Sequence, residues 1–323
     1  MSDTASQSNA QVSVITPVYN GAAHLAECIE SVLSQSYENF EFIILNNAST
    51  DDSEAIIQRY AALDERIKVA ENKTILPIMD NWNHALSLMD PQSKYCKVVH
   101  ADDLIFESCL EKMVAIAEKH PSATLIGSYR IMGVGIAMDS IPYPEELVDG
   151  RDLARGRLLT RKYRDQFGAP TSVMYRADCV RETELFYDPW NYHADTQSCF
   201  ELLSKGDYAF VHDILTYTRR HDESQTSNTA DLDSHAIGHL KIQHKVGPKF
   251  LDPVEQHHAM HIRLRYHYRR LAKDFSYLRS KEFRDYHRKG LADINLRVSM
   301  PRLIYALFLE VVEKALSALR SRG

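Results

Sequence analysis

Two adjacent aspartates that follow a short apolar run are the residues best suited to chemistry in this sequence. The run 95–99 contains β-branched valines and ends at His100, Ala101, Asp102 and Asp103. Ligands of open parallel sheets bind beyond the carboxyl ends of the strands. Two carboxylates at such a place repel each other unless a cation lies between them. We therefore predict a divalent-metal corner that holds a phosphate. The alternative is a polar turn with Asp103 near a helix N-terminus.

The segments around this site alternate between strand and helix patterns. Apolar strands are predicted at 12–16, 40–45, 67–70 and 95–99, and helices at 22–34, 53–63, 78–88 and 109–119. Pro17 is predicted to end the first strand because it cannot donate to a ladder. Ser49 or Thr50 is predicted to cap helix 53–63. Ser108 with Glu111 predicts a capping box at residue 109. The alternation indicates a parallel sheet with right-handed crossovers.

Composition places the chain among ordinary globular proteins. Its 323 residues suffice for one large domain plus an extension or for two domains, with 44% hydrophobic and 25% charged residues. The five cysteines are scattered without a CxxC pair, which indicates free thiols in a reducing compartment. The polar N-terminus lacks a secretory pattern, and no apolar run approaches the ~20 residues of a membrane span.

Charge is distributed unevenly along the chain. Residues 1–240 carry 20 Lys+Arg and 36 Asp+Glu, a net charge of −16, whereas residues 241–323 carry 18 and 8, a net charge of +10. Such a division indicates regions with different partners. We predict a disordered N-terminus at 1–10, an α/β domain at 11–230 and a basic helical extension at 231–323.

Three stretches, in this order and spacing, resemble family 2 glycosyltransferases. Val12–Asn20 resembles the family's opening strand, Asn47–Ser53 its second signature, and His100–Asp103 its DxD metal motif. Further segments resemble the acceptor-side strand, the catalytic acidic pair and the closing Tyr-Arg-x-His-x-x-Ser segment, namely Gly168–Ser172, His193–Asp195 and Tyr217–Ser224. The resemblance covers roughly residues 11–228. It implies a GT-A fold, an α/β architecture with a mostly parallel central sheet flanked by helices, followed here by a C-terminal helical extension.

The resemblance implies transfer of a sugar from a nucleotide-diphosphate sugar to an acceptor hydroxyl, with inversion and assisted by Mg²⁺ or Mn²⁺, in glycan or polysaccharide synthesis. Asp102, Asp103 and His221 are the implied metal ligands, and Asp195 is the implied general base. The alternative for Asp195 is an N-cap of helix 196–204. The implied donor-binding residues are Pro17, Tyr19, Asn20, Asn46, Asn47, Ser49, His100, Ala101, Asp102 and Arg219.

The sequence departs from the family pattern at several of these positions. His100 stands in place of the first acid of the metal motif, which predicts weaker metal affinity. Asn46 and Asn47 replace common acids, and this leaves the base open among uracil, thymine and guanine, for donors of the UDP, dTDP or GDP type. Asp195 has no neighbouring carboxylate. Aromatic residues before it are predicted to desolvate it, namely Phe186, Tyr187, Trp190 and Tyr192.

Beyond residue 231 the pattern is helical and basic. Arginines interleaved with tyrosines favour anionic lipid headgroups or a lipid-linked acceptor over nucleic acid. His257, His258 and His261 are interpreted as exposed helix residues, because no acid completes a metal motif. A helix beginning at Pro301 has a broad apolar face, which predicts contact with a membrane surface, the protein's own core or a second copy in a homodimer. We expect a cytoplasmic protein, peripheral at the membrane's inner face if that helix binds lipid.

Two other functions remain open at this point. A sugar-nucleotide nucleotidyltransferase needs a Gly-rich, basic loop after the first strand, and 17–21 is not one. A catalytically impaired nucleotide-sugar binder or scaffold is consistent with Asn46, Asn47 and His100. The donor sugar, the acceptor and the linkage depend on pocket shape and on loops such as 139–166 and 183–194, which the sequence leaves open.

Overall fold

A computed structural model describes residues 10–160, 162–163, 165–167, 169–219 and 232–320, with side chains of the last helix up to residue 316. Almost all of the segment predicted to be disordered lies outside these residues, as does the predicted domain boundary at residue 230. The described residues form two compact units, one of 10–190 with 194–219 and the other of 191–193 with 232–320.

The first unit is built on a mixed β-sheet. Its strands are β1 (Val12–Val18), β2 (Phe40–Asn46), β3 (Ile67–Glu71), β4 (Tyr95–Val98), β5 (Leu104–Ile105), β6 (Ala123–Met132), β7 (Gly135–Ala137), β8 (Leu147–Val148), β9 (Val173–Arg176) and β10 (Asp207–Thr218). The order is β3-β2-β1-β4-β9-β6-β10-β5, with β7 on β6 and β8 on β10. Strands β1 to β4 are parallel to one another, as are β6 and β10, whereas β5, β7, β8 and β9 pair antiparallel.

Helices connect the parallel strands of this unit. They are α1 (Ala22–Leu33), α2 (Ser53–Ala61), α3 (Ile78–Ser87), α4 (Cys109–Lys119), α5 (Gly150–Leu159), α6 (Ala177–Arg181) and α7 (Ala194–Leu203), with a 3-10 turn at Pro170–Ser172. Every residue of β1 and β2 is buried, as expected for parallel strands covered on both faces. The predicted α/β fold with a mostly parallel sheet is confirmed.

Pro17 lies inside β1, so the prediction that it ends the strand is wrong. The pairing of β1 with β4 stops at Ile15 and Val98, whereas the pairing with β2 continues to Val18. Pro17 therefore lies beyond the last residue pair with β4, where its missing N–H interrupts no ladder on that side.

The predicted capping box of α4 does not form. Ser108 is the N-cap residue, but its φ of −91° and ψ of 11° are not the extended values of a capping serine, and its side chain makes no cap hydrogen bond. Glu111 accepts a 2.7 Å hydrogen bond from Ser36 Oγ instead. Likewise Asp52, not Ser49 or Thr50, is the N-cap residue of α2.

The second unit is helical, which confirms the predicted C-terminal extension. Its helices are α8 (Ser234–Phe250), α9 (Pro253–Ala272), α10 (Ser276–Arg279), α11 (Lys281–Ala292) and α12 (Met300–Arg320), with a 3-10 turn at Lys273–Phe275. A full capping box of Asp252 and Glu255, with Pro253 at the first turn, begins α9. Ile237 and Leu240 of α8 pack with Leu291 of α11 in one core cluster. None of the described helices combines the length and apolarity needed to cross a bilayer.

Candidate active site

The predicted metal corner forms in the loop between β4 and β5. Ligand atoms of His100, Asp102 and Asp103 all lie within 4.8 Å of one another. Asp103 is only 2% exposed, and its burial raises the pKa of its carboxyl group. Among the described residues, neither Asp103 Oδ2 nor His100 Nε2 has a hydrogen-bond partner, although both atoms are buried. Buried polar atoms normally have partners, so this cluster has the electron-pair donors for a cation.

The ligand types at the corner fit a small divalent ion. Two carboxylates suit Mg²⁺ or Mn²⁺, and an imidazole nitrogen favours Mn²⁺ of the two. His100 Nδ1 lies 4.0 Å from Asp103 Oδ2. The third predicted ligand, His221, lies outside the residues that the structure describes.

Arg219 fixes the corner from the end of β10. Its backbone N–H donates to Asp103 Oδ1 at 3.0 Å, and its Nε donates to the backbone oxygen of Asp102 at 3.1 Å. Its Nη2 pairs with Glu27 of α1 at 2.6 Å. Because Tyr217 pairs with Leu104 directly after the corner, sheet pairing holds these groups together. Arg219 thus lies where the sequence analysis expects a diphosphate.

The loop 49–53 caps α1 in addition to its own helix, where Asp51 Oδ1 accepts from the Ser53 amide at 3.1 Å. Three consecutive backbone amides at the start of α1 donate to its side chains, Asn20 to Ser49 Oγ at 3.0 Å, Gly21 to Ser53 Oγ at 2.9 Å and Ala22 to Asp51 Oδ2 at 2.9 Å. Asn20 Oδ1 accepts in return from the Thr50 amide at 2.8 Å. Asn20 and Ser49, both predicted donor-binding residues, are therefore joined to each other.

The β1–α1 turn lies against the metal corner. A Cβ added to Gly21 would lie 3.3 Å from Ala101 Cβ, so the absence of a side chain at Gly21 allows this approach. Pro17 is buried in β1. Tyr19, directly after β1, is 50% exposed, which leaves its ring accessible.

The hydrogen bonds that the structure describes for Asn46 and Asn47 all go to other groups of the protein. Asn46 donates to Glu54 at 2.7 Å and accepts from the Ser49 amide at 3.1 Å. Asn47 donates to the Leu76 oxygen at 3.0 Å and accepts from the Leu76 amide at 2.9 Å and from Asn72 at 2.8 Å. The two side chains are 1% and 3% exposed. Both amides therefore hold loops at the carboxyl end of the sheet in place.

Trp82 and Asn83 of α3 are site residues that the sequence analysis missed. The ring centroid of Trp82 lies 4.6 Å from that of His100 and 5.2 Å from that of Tyr187. Asn83 holds the backbone of Tyr187 on both sides, donating to its oxygen at 2.7 Å and accepting from its amide at 2.9 Å. The only signal in the sequence is a tryptophan between two asparagines at 81 and 83 on an otherwise amphipathic helix.

Asp195 lies in the first turn of α7, which begins at Ala194, so it is not the N-cap of a helix at 196–204. Its Oδ1 accepts from the Thr196 amide at 2.6 Å. Burial raises the pKa of Tyr187 well above its usual value, and the charge of Asp195 contributes in the same direction. Ser198 Oγ of the same helix donates to the backbone oxygen of Phe186 at 2.5 Å, which joins α7 to the segment that carries Tyr187.

Only two of the four aromatic residues that precede Asp195 are buried. Phe186 and Tyr187 are 7% and 0% exposed, whereas Trp190 and Tyr192 are 69% and 46% exposed. The buried pair lies with Tyr175 of β9, whose hydroxyl is 3.4 Å from that of Tyr187. The prediction that all four aromatics desolvate Asp195 is therefore wrong for Trp190 and Tyr192, which lie at the surface.

Comparison with known sequences identifies the family. The family described as Glycosyl transferase family 2 matches residues 13–183. The chain is 38% identical over 162 residues to "Putative glycosyltransferase EpsE" of Bacillus subtilis, covering 48% of this chain and 57% of that protein. It is 33% identical over 138 residues to "Putative teichuronic acid biosynthesis glycosyltransferase TuaG" of the same organism, covering 42% of this chain and 54% of that protein. The matched region thus spans about half the length of these curated relatives.

Solved structures share the fold at low sequence identity. A structure of S. aureus TarS 1-349 in complex with UDP-GlcNAc has a TM-score of 0.65 and 18% identity, covering 93% of this chain and 88% of that one. The mannosyltransferase PcManGT from Pyrobaculum calidifontis, in complex with GDP-Man and Mn²⁺, has a TM-score of 0.57 and 14% identity, covering 95% and 80%. Together with the family match over more than half of its length, these findings show that the chain belongs to glycosyl transferase family 2 and has the GT-A fold.

Proposed function

We propose that this enzyme transfers a sugar from a nucleotide-diphosphate donor to an acceptor hydroxyl with inversion, and that Asp195 is its general base. The observation that carries the proposal is the position of Trp82. Its ring contacts His100 at the metal corner and also Tyr187, and the oxygen of the preceding residue, Phe186, accepts a 2.5 Å hydrogen bond from Ser198 of α7. A series of contacts within the first unit thus links the corner to the helix that carries the proposed base.

The corner residues would hold a divalent cation, Mg²⁺ or Mn²⁺, through His100, Asp102 and Asp103. Such an ion supplies positive charge that offsets the charge growing on the leaving diphosphate. The chain adds its own cation beside it, because the Arg219 guanidinium is fixed between the Asp102 backbone and Glu27. A guanidinium suits phosphate oxygens, since its N–H groups match their geometry.

Asp195 takes the proton of the acceptor hydroxyl as that oxygen bonds to the anomeric carbon. The bond from this carbon to the diphosphate oxygen breaks on the opposite face, so the nucleoside diphosphate leaves and the configuration inverts. The first turn of a helix holds the carboxylate in a defined orientation, which general-base catalysis requires. The acceptor is a glycan or a lipid-linked hydroxyl.

The candidate donor bases are uracil, thymine and guanine. The structural neighbours named above hold UDP-GlcNAc and GDP-Man, and donors of the UDP, dTDP and GDP types are the candidates here. We assign Tyr19, with its exposed ring, to stacking on the base. Asn46 and Asn47 shape the loops rather than read the base, because their described hydrogen bonds go to protein groups.

The test is a panel of labelled UDP, dTDP and GDP sugars with Mn²⁺ and a set of sugar and lipid-linked acceptors. We expect a glycoside and a free nucleoside diphosphate from at least one donor, loss of transfer in Asp195→Asn, and loss with chelator. Asp213→Asn is the control, because Asp213 forms an exposed surface pair with Lys112. With pyrophosphate added, formation of a nucleoside triphosphate and a sugar 1-phosphate from one of these donors would indicate a nucleotidyltransferase. Donor binding without turnover would indicate a binder or scaffold. Either result contradicts the proposal.

The terminal helix α12 supports a proposal about the acceptor side. Two of its charged residues contact the 3-10 turn of the same unit, since Glu310 accepts from the Asp274 amide at 3.0 Å and Lys314 pairs with Asp274 at 2.8 Å. Leu303 and Ala306 of this helix are buried, whereas seven of its large apolar residues are exposed between 36% and 63%, namely Met300, Ile304, Tyr305, Phe308, Val311, Val312 and Leu316. Exposed apolar stripes of this size mark interaction sites.

We propose that this stripe binds an anionic membrane surface and brings the enzyme to a lipid-linked acceptor at the cytoplasmic face. The +10 net charge of residues 241–323 favours anionic headgroups, and an apolar helix face supplies the insertion energy. Sedimentation with phosphatidylcholine vesicles, with and without phosphatidylglycerol, tests it. Binding that needs phosphatidylglycerol and is lost in Phe308→Ser supports the proposal. A concentration-dependent dimer lost in the same variant, without vesicle binding, overturns it.

A further inference from the structure

A three-residue segment directly before α7 belongs to the helical unit. Residues 191–193 belong to the second unit, whereas the residues on both sides of them, 188–190 and 194–196, belong to the first. The segment is compact, because the His193 amide donates to Asn191 Oδ1 at 3.1 Å, and Asn191 is 2% exposed. Tyr192 stacks on Tyr286 of α11 with ring centroids 6.3 Å apart.

His193 is held by two histidines one turn apart on α8. Its ring centroid lies 4.3 Å from that of His235 and 5.4 Å from that of His239, with interplanar angles of 36° and 17°. The rings of His235 and His239 are stacked on each other at 5.3 Å. Residues four apart on a helix share a face, so α8 presents a two-ring platform for His193.

Gly238 completes this contact by having no side chain. A Cβ at position 238 would lie 2.3 Å from His193 Cδ2 and 3.3 Å from Asn191 Oδ1. The first distance is far inside van der Waals contact, so any larger residue would displace the His193 ring. Glycine within a helix is unfavourable relative to alanine. At position 238 that disadvantage is offset by a contact that alanine would prevent.

We propose that segment 191–193 is clamped in position by its packing on His235, Gly238 and His239, and that His193 is a positioning residue for Asp195. This inference rests on the proposed function for its catalytic consequence, since it takes Asp195 as the base. Only Ala194 separates His193 from Asp195 in the chain. Displacing His193 therefore changes how the chain enters the first turn of α7, in which Asp195 lies.

The geometry favours a clamp over a metal site. Among the residues that the structure describes, the one cluster of convergent ligand atoms is at His100, Asp102 and Asp103. The ring nitrogens of His193, His235 and His239 do not converge in this way; the rings pack against one another at interplanar angles of 17° to 36°. Stacking and close packing restrict the position of a backbone segment, and a displacement of about 1 Å at a catalytic group costs about 100-fold in rate.

The experiment is a double-mutant cycle on the full chain, read by transfer kinetics. We expect His193→Ala and Gly238→Ala each to lower kcat about tenfold or more, with the KM for the donor changed less than about twofold. In the double variant, Gly238→Ala should not lower kcat any further, because His193→Ala has already removed the ring that the new methyl group would displace. His193→Phe keeps a stacking ring and should restore most of the activity. His244→Ala, exposed on the same helix, is the matched control.

Hydrogen–deuterium exchange of the peptide spanning residues 186–198 tests the clamp without any turnover. Exchange of the amides at 192–196 should rise in His193→Ala and Gly238→Ala and stay unchanged in His244→Ala. If Asp195→Asn abolishes transfer while His193→Ala changes neither kcat nor exchange, the clamp is refuted and the proposed function stands. If exchange rises as expected but Asp195→Asn keeps full activity, the clamp stands and the proposed base is wrong.

Discussion

Asn47→Leu removes a buried amide that joins the end of β2 to the segment before α3. The wild-type side chain makes three hydrogen bonds between 2.8 and 3.0 Å, two with the Leu76 backbone and one with Asn72. Leucine has a similar size but cannot replace any of them. The Leu76 N–H and C=O groups and one Asn72 N–H group would lose these partners at a position that is 3% exposed in the wild type.

The magnitude follows from these three contacts. A neutral hydrogen bond contributes about 1 kcal/mol net, and a buried group left without its partner costs about 1–3 kcal/mol. The apolar leucine side chain recovers part of this loss through burial. We therefore expect the free energy of unfolding to fall by about 3 kcal/mol. For a unit of this size, that lowers the melting temperature by about 6–12 °C.

Thermal melts with and without UDP, dTDP or GDP measure both the melting temperature and the relative affinities for the three nucleotides. The melting temperature should fall by this amount, while the relative affinities for the three nucleotides stay the same, because Asn47 contacts protein groups rather than a base. Gln92→Leu is the control, since Gln92 is exposed and its hydrogen bond to Asp90 comes from the backbone amide. An unchanged melting temperature with a switched base preference would refute the reasoning and return Asn47 to base recognition.

Three further predictions concern other parts of the chain. His100→Asp adds a carboxylate to the corner and should lower the Mn²⁺ concentration for half-maximal activity by about tenfold; an unchanged metal titration would contradict the ligand assignment. Trp82→Ala should lower kcat about tenfold or more, with Trp82→Phe close to wild type, because the ring separates His100 from the loop before Asp195. Burial lowers the pKa of His267 to about 3 and that of His287 to about 4, so both are neutral when folded and gain protons on unfolding. Urea titrations between pH 7.5 and 5 should therefore give a free energy of unfolding that keeps its full value above about pH 6.5 and decreases below that pH, by up to about 1.4 kcal/mol per pH unit for each histidine. This decrease should disappear in the double variant His267→Leu/His287→Leu.

The first half of the sheet was predictable because its strands are rich in β-branched and other apolar residues and alternate with amphipathic helix patterns. Strands β1 to β4 and helices α1 to α4 lie within about two residues of their predicted limits, and α4 matches them. The antiparallel part was not predictable, because β5 and β8 have two residues each and β7 has three. Strands of two or three residues contain at most one and a half periods of hydrophobic alternation, which is too few to distinguish them from a loop, so only the chain folded around them defines them.

The capping predictions failed for a reason that local sequence does not contain. Ser49 and Asp51 precede α2 in the chain, yet they accept from the amides at the start of α1. Side chains within a short loop can serve whichever free amides lie nearest in space. The loop lies within the stretch that resembles the family's second signature, and its side chains accept hydrogen bonds from the β1–α1 turn, which no spacing rule predicts.

In the candidate site, too, residues that are adjacent in the sequence could be predicted, whereas residues that only the fold brings together could not. Asp102, Asp103 and His100 were placed together from one short motif, because adjacent residues after a strand stay close in any fold. Trp82 could not be identified, since its role depends on contacts with residues at 100 and 187. The orientation of α12 was also open, because an apolar helix face predicts burial against some partner without saying which one.

The central claim, that the corner binds a cation together with the donor diphosphate, is tested most directly by a crystal structure with Mn²⁺ and a nucleoside diphosphate. We predict an anomalous manganese peak within about 2.4 Å of an oxygen of Asp102 or Asp103, with a diphosphate oxygen as a further ligand and Arg219 beside it. A diphosphate bound elsewhere, or a corner without manganese while the nucleotide is present, would contradict the account.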